Sequence, residues 1–150
     1  MYLSSNWNKK GYTLVEVMLV LSITVSLIAI GFSLPRYFLH TFQTKQFFQQ
    51  FNNDILYLQQ LSLASKENIY LLIDPENQQY TIHQGGTGKV LIQRNIPDHC
   101  HIELRTLKMP ISFTDKGSLR NPGTMIVDTG NNQYKVVFPL GKGRNYIVEQ

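Results

Sequence analysis

Apolar residues are concentrated near the start of this chain. Across residues 12–34 they run almost without interruption, and no charged residue falls between Val17 and Leu34. As a helix, about 23 residues at 1.5 Å rise reach ~35 Å, enough to cross a ~30 Å hydrocarbon core. Glu16 is the exception inside the run. A carboxylate there costs a few kcal/mol on insertion, so it marks a position with a function. Lys9 and Lys10 precede the run, while Pro35 and Arg36 follow it. The positive-inside rule puts the two lysines in the cytoplasm and the rest of the chain outside. A secretory signal peptide ends in a small-residue cleavage site, and none follows Leu34.

Beyond Pro35 the pattern becomes one-sided. Phe47, Phe48, Phe51, Ile55, Leu58 and Leu61 recur at three- and four-residue steps among Gln49, Gln50, Asn52, Asn53, Gln59 and Gln60. This predicts an amphipathic helix to about Ser65 whose aromatic stripe is core rather than a ligand box. As one element over 12–65 the helix is ~80 Å long. A proline removes a helical hydrogen bond and bends the axis, so a kink is expected near Leu34 and Pro35. From Ile69 the period becomes that of strands, expected at 69–73, 80–83, 89–94, 101–107, 111–114, 124–128, 133–139 and 145–148. Clusters at 74–77, 128–132 and 141–143 supply turns. One long helix followed by roughly seven antiparallel strands is α+β, with the helix packed on one sheet face.

Composition narrows the class. The chain has 150 residues, 43% hydrophobic and 16% charged. The charged share lies below the roughly 25% of ordinary globular chains, which excludes a disordered polyelectrolyte and leaves room for one domain. Cys100 is the single cysteine, so no internal disulfide or Cys-rich zinc site can form. It is either a small buried hydrophobe or, in an exported domain, half of an intermolecular disulfide.

Catalytic chemistry is not expected. Of the four histidines, His99 and His101 flank Cys100 and would share a face in an extended segment, which gives two ligands at most and no metal site. His40 and His83 stand apart from them. The run Gly85, Gly86, Thr87, Gly88 has no following Lys-Ser/Thr and no strand-to-helix context, so it is not a phosphate loop. Asp74, Asp98, Asp115 and Asp128 read as turn residues, and Ser62 has no base partner. No cofactor is implied.

The stretch Lys9, Lys10, Gly11, Tyr12, Thr13, Leu14, Val15, Glu16 resembles the prepilin leader of type IV pilins and pseudopilins. The resemblance implies that a prepilin peptidase cuts after Gly11 on the cytoplasmic side and that Tyr12 is then N-methylated. Glu16 is the fifth mature residue and pairs with the free amine of Tyr12 on a neighbouring subunit, which would set axial register. The bland alternative is that Glu16 snorkels to the membrane interface. The expected segments are a leader over 1–11, a transmembrane and filament-core half-helix over 12–34, an amphipathic half over 35–66 and a β-sheet head over 67–150. Together they make a pilin-like lollipop.

Head segments narrow the resemblance. Ile102, Glu103 and Leu104, then Thr106, Leu107 and Lys108, Phe113 with Lys116 and Gly117, Asn121, Pro122 and Gly123, and finally Leu140, Gly141, Lys142, Gly143 and Arg144 look like the competence pseudopilins of Gram-positive bacteria. The ComGD-like type is the nearest, related in fold to the GspH/FimT minor pseudopilins of type II secretion. What this implies is a minor, structural subunit of a competence pseudopilus that serves DNA uptake in transformation. Its partners would be the major and other minor competence pseudopilins, a polytopic assembly membrane protein and a cytoplasmic ATPase. It would sit in the cell membrane first and in a cell-wall pseudopilus afterwards.

Direct DNA contact is a separate question. Lys116, Arg120, Lys142 and Arg144 lie in glycine-rich turns that one end of the head could present to phosphates. The net charge is +4, and loss of Lys9 and Lys10 with the leader leaves +2. That is weak for a general DNA-binding module, so an indirect role is favoured. The alternatives are a minor pseudopilin of a type II secretion or type IV pilus system, and an uncleaved membrane-anchored DNA receptor.

Overall fold

Around the aromatic stripe of the amphipathic segment, the β-strands close into a core. The computed structural model describes residues 11–31, 36–65, 67–85, 88–141 and 144–150. The chain divides into two compact units, one ending at Phe38 and the other running over Leu39–Gln150. In the first, α1 spans Leu14–Gly31. The second helix, α2, spans Arg36–Ala64 and lies mostly in the second unit. The expected single helix over 12–65 is therefore seen as two helical spans. The link at 32–35, with the expected kink at Leu34 and Pro35, lies outside the described residues.

Among the described residues no helix is long and apolar enough to cross a membrane. At 1.5 Å per residue, the 18 residues of α1 make ~27 Å, and the expected span also drew on Tyr12, Thr13 and residues 32–34.

Eight strands follow α2: β1 Ile69–Asp74, β2 Gln79–Gln84, β3 Lys89–Asn95, β4 His101–Glu103, β5 Ile111–Ser112, β6 Gly123–Asp128, β7 Gln133–Phe138 and β8 Tyr146–Glu149. All pairings are antiparallel, as expected. The fold is α+β. The strands do not make one continuous sheet but two of four strands, ordered β3-β2-β1-β5 and β4-β6-β7-β8. Each buries one face. Ile69, Leu71 and Ile73 alternate inward on β1, Tyr80 and Ile82 on β2, Met125 and Val127 on β6, Val136 and Phe138 on β7.

The stripe of α2 meets both sheets. Phe51 packs edge-on against Tyr80 of β2, ring centres 5.3 Å apart, and against Phe138 of β7 at 6.4 Å. Phe48 meets Tyr134 of β7 at 5.0 Å. Phe47, Phe48, Phe51, Ile55 and Leu58 are all buried, as the periodicity predicts. Among the described residues, the one buried carboxylate beside them is Asp54. Tyr80 donates its hydroxyl to Asp54 Oδ2 at 2.7 Å, and Arg94 Nε of β3 lies 3.3 Å from the same oxygen. A buried carboxylate is tolerable only with such partners. Burial, and then the bond to Asp54, push the Tyr80 phenol far above its ordinary 10.0.

Two strands are shorter than their patterns suggest. Residues 101–107 leave the ladder after Glu103, because the amides of Thr106 and Leu107 both donate to the Thr124 carbonyl, at 3.1 and 3.2 Å. One acceptor serving two successive donors turns the chain across the start of β6. There Gly123 lies against backbone: a Cβ on it would sit 2.6 Å from Leu107 Cα. Residues 111–114 keep only Ile111–Ser112 in strand, followed by an isolated bridge from Phe113 to Leu119 around a turn with Gly117 at φ 76°.

Two outcomes follow for the full chain in detergent micelles. Gly123→Ala forces a backbone clash that a side-chain rotation cannot relieve, so denaturant unfolding should show a loss of about 1–3 kcal/mol. Stability from the neutral Tyr80 phenol is fully present below pH 10 and is lost as pH rises further, because only the unfolded chain then releases that proton. Alkaline unfolding should therefore steepen above pH 10 in the native sequence and flatten in Tyr80→Phe.

Candidate functional site

The start of α1 gathers the residues singled out by the sequence. Gly11, Tyr12 and Thr13 are non-helical, and the helix begins at Leu14. Its first intrahelical bond runs from the Val17 amide to the Thr13 carbonyl at 3.2 Å, which makes Thr13 the N-cap. The Thr13 hydroxyl accepts the Glu16 amide at 3.2 Å. Thr13 and Glu16 are thus the N-cap and the third first-turn residue of a Thr-x-x-Glu capping sequence. The carboxylate of Glu16 sits where the helix dipole favours negative charge. Tyr12, just before the cap, shares a shallow apolar recess with Val17, Val20 and Leu21, an arrangement that fixes how the chain enters the helix. Thr13 was not among the residues marked from the sequence. Its signal was present in the spacing to Glu16.

The rest of α1 has nowhere to hide its surface within the described residues. Residues 11–29 are all exposed, including Leu14, Val15, Leu19, Ile23, Val20 and Val17, which point to every side of the helix. Its hydroxyls do not ask for outside partners. Ser22 donates to the Leu19 carbonyl, Thr24 to Val20 and Ser26 to Ser22, at 2.8–2.9 Å. Glu16 is the one charged side chain in α1, and the ion pairs among the described residues, Arg94 with Asp54 and Arg105 with Glu103, do not include it. An apolar cylinder with one carboxylate at its capped end is built to be covered by lipid or by other helices. Lys9 and Lys10 lie outside the described residues.

In the head, the basic turn residues are brought near one another but not into one patch. The Leu119 amide donates to the Gly141 carbonyl at 3.3 Å, so the two loops adjoin. Lys116, Arg120 and Arg144 are exposed, while Lys142 lies outside the described residues. Arg120 lines a cleft that also holds the carboxylates of Glu67 and Asp115. Arg144 lines a different groove, against Asn52, Gln59 and Asn145.

The His-Cys-His run departs from the extended geometry expected for it. The Cys100 amide bonds back to the Pro97 carbonyl at 2.8 Å, so His99 lies in a turn before β4 and does not share a face with His101. His101 is exposed on β4, opposite Asp128. Cys100 is fully buried and unpaired, the small-hydrophobe alternative of the two. Among the described residues no group of three or more His, Cys, Asp or Glu is placed to hold a metal.

Loss of the Thr13 hydroxyl should weaken the helix start by about 1 kcal/mol. In Thr13→Ala the amides of Glu16 and Val17 should exchange with solvent about fivefold faster in micelles, with Thr13→Ser close to the native rate.

Comparison with known proteins matches this arrangement. Residues 8–34 fit the family model of the prokaryotic N-terminal methylation motif. Over 137 residues the chain is 33% identical to the competence protein ComGD of Bacillus subtilis (strain 168), covering 91% of each chain. In fold it is similar to the minor pseudopilin EpsH from the type 2 secretion system of Vibrio cholerae. That likeness has a TM-score of 0.51 at 17% identity, over 67% of this chain and 91% of the other.

Proposed function

The chain belongs to the ComGD family of competence proteins, and from that membership we propose that it is a minor pseudopilin, a structural subunit of a competence pseudopilus that serves the uptake of exogenous DNA. The observation that supports this most is the start of α1: a glycine outside the helix, a capped first turn, one carboxylate and an apolar surface all round. A peptidase that cuts after Gly11 needs an accessible, non-helical peptide bond. Gly11 and Tyr12 are both exposed and lie outside the helix, ahead of the cap. Methylation of Tyr12 then follows at the new N-terminus, within the matched motif.

In this reading the leader is 1–11, with Lys9 and Lys10 holding it at the cytoplasmic face. Residues 12–34 are held by the membrane and then by the filament core. Residues 35–66 carry the stripe that the head buries, and 67–150 are the head. Glu16 is left inside an apolar bundle after assembly and needs a positive partner there. The amine of Tyr12 on a neighbouring subunit supplies it, and only one axial stagger satisfies both charges.

The partners are the major and other minor pseudopilins, with a prepilin peptidase, a polytopic membrane protein and a cytoplasmic ATPase doing the work of processing and extraction. The protein performs no catalysis of its own. It serves DNA uptake through the filament rather than by gripping DNA, since Arg120 and Arg144 line different grooves and Arg120 shares its cleft with the acidic Glu67 and Asp115. The likeness to EpsH concerns the fold and does not choose between machines.

Mass spectrometry of the N-terminus, in cells with and without the prepilin peptidase, tests the reading. The expected peptide begins at N-methylated Tyr12 only when the peptidase is present. An intact N-terminus in peptidase-positive, competent cells would favour a plain anchored receptor and end the filament proposal.

A further inference from the structure

Between β3 and β4 the chain is held against α2 through His99 and Cys100. The ring of His99 stacks on that of His40, centres 4.4 Å apart and planes 12° from parallel. His99 Nε2 also lies 2.9 Å from the hydroxyl of Thr44, one helical turn beyond His40. That hydroxyl is 3.9 Å from Cys100 Sγ, and Thr44 and Cys100 are both buried. The two ends of the loop are fixed elsewhere, by the Ile96 amide on the Gln78 carbonyl and by the pairing of β4 with β6. The segment between them also closes one side of an open cleft lined by Gln43, Gln46, Asn95 and the edge of Tyr80.

We propose that the His40–His99 stack is a proton-operated latch. When both rings are neutral it holds the 96–100 loop on α2 and seals Cys100. When His99 takes up a proton it lets the loop lift and opens the neighbouring cleft. Two neutral imidazoles stack favourably, whereas two imidazolium ions at 4.4 Å repel each other in a site partly shielded from water. Protonation also removes any acceptor that His99 could offer to the Thr44 hydroxyl.

The charged surroundings set the direction. Burial, followed by the charge of His40, holds His99 below its ordinary 6.5. A backbone hydrogen bond at His40 and the carboxylate of Asp98, on the loop itself, act the other way, and His101 on β4 adds to the repulsion. His101 in turn faces Asp128 of β6. The closed loop therefore binds protons less readily than the open one. Closure is fully favoured above pH 6.5 and weakens as pH falls below it.

Cys100, the only cysteine in the chain, reports on the latch directly. The full chain in detergent micelles is labelled with 4,4′-dithiodipyridine at about pH 7.5 and about pH 5.5. Each rate is divided by that of the same chain unfolded in guanidinium at the same pH, which cancels the intrinsic thiol chemistry. One proton can change such a ratio at most tenfold per pH unit. The ratio is expected to rise about tenfold on acidification, with an unchanged far-UV circular dichroism spectrum. In His40→Phe, which keeps a stacked ring without the charge, the rise should be clearly smaller, since burial of His99 remains but the repulsion from His40 is gone. Should His40→Phe lose its near-UV spectrum, His40→Gln takes its place with the same expectation. A native ratio that does not change with pH, or an equal rise in the uncharged variant, overturns the latch.

Discussion

Everything in the second unit depends on one shared surface, the aromatic stripe of α2. A four-stranded sheet with short strands has one face to bury and cannot bury it alone. Here two such sheets turn their inner faces to the same few rings. Phe51 touches Tyr80 on one sheet and Phe138 on the other, so it carries contacts that neither sheet supplies to itself. The polar cluster at Asp54 has the same logic. It ties α2 to β2 through Tyr80 and to β3 through Arg94, with its charge satisfied inside the chain. Fully partnered, such a cluster fixes how the helix is seated rather than adding much net stability.

Much of this was legible in the sequence, for physical reasons that also mark the limits. The stripe of Phe47, Phe48, Phe51, Ile55 and Leu58 repeats at the helical period, which is set by local geometry, and all five are buried as that period requires. Strand positions were legible for the same reason, because alternation along β1 or β7 is local. The division into two sheets was not, since it depends on which strands pair. The chain lays β4 beside β6, then returns to set β5 beside β1, and no local pattern encodes that return. The early end of β4 has a similar origin: the carbonyl that takes the amides of Thr106 and Leu107 belongs to Thr124, far along the chain.

At the N-terminus the balance is different. Gly11, Tyr12 and Glu16 stand out by spacing and charge alone, and the motif match falls on the same stretch. Thr13 was harder to see because a threonine beside an apolar run looks ordinary. Its role emerges only when its hydroxyl is found on the amide of Glu16. The pairing of His40 with His99 was also invisible, since 58 intervening positions separate a helical residue from a turn, and the turn itself replaced the extended geometry expected around Cys100.

Asp54 and Glu16 are the same kind of problem solved in two ways. Each is a carboxylate among apolar residues, and each is intolerable without partners once water is excluded. Asp54 finds Tyr80 and Arg94 within its own chain, so the head can close without help. Glu16 sits on a helix whose described residues are all exposed, whose hydroxyls are satisfied internally and whose one carboxylate takes part in neither ion pair seen there. A chain that satisfies one buried carboxylate so fully, yet leaves the other beside a bare apolar surface, has placed part of its folding outside itself. For a filament subunit this separation is useful. The partners of Asp54 lie in the head itself, while in the proposed filament neighbouring subunits supply what α1 lacks among its described residues, apolar cover and a positive charge for Glu16.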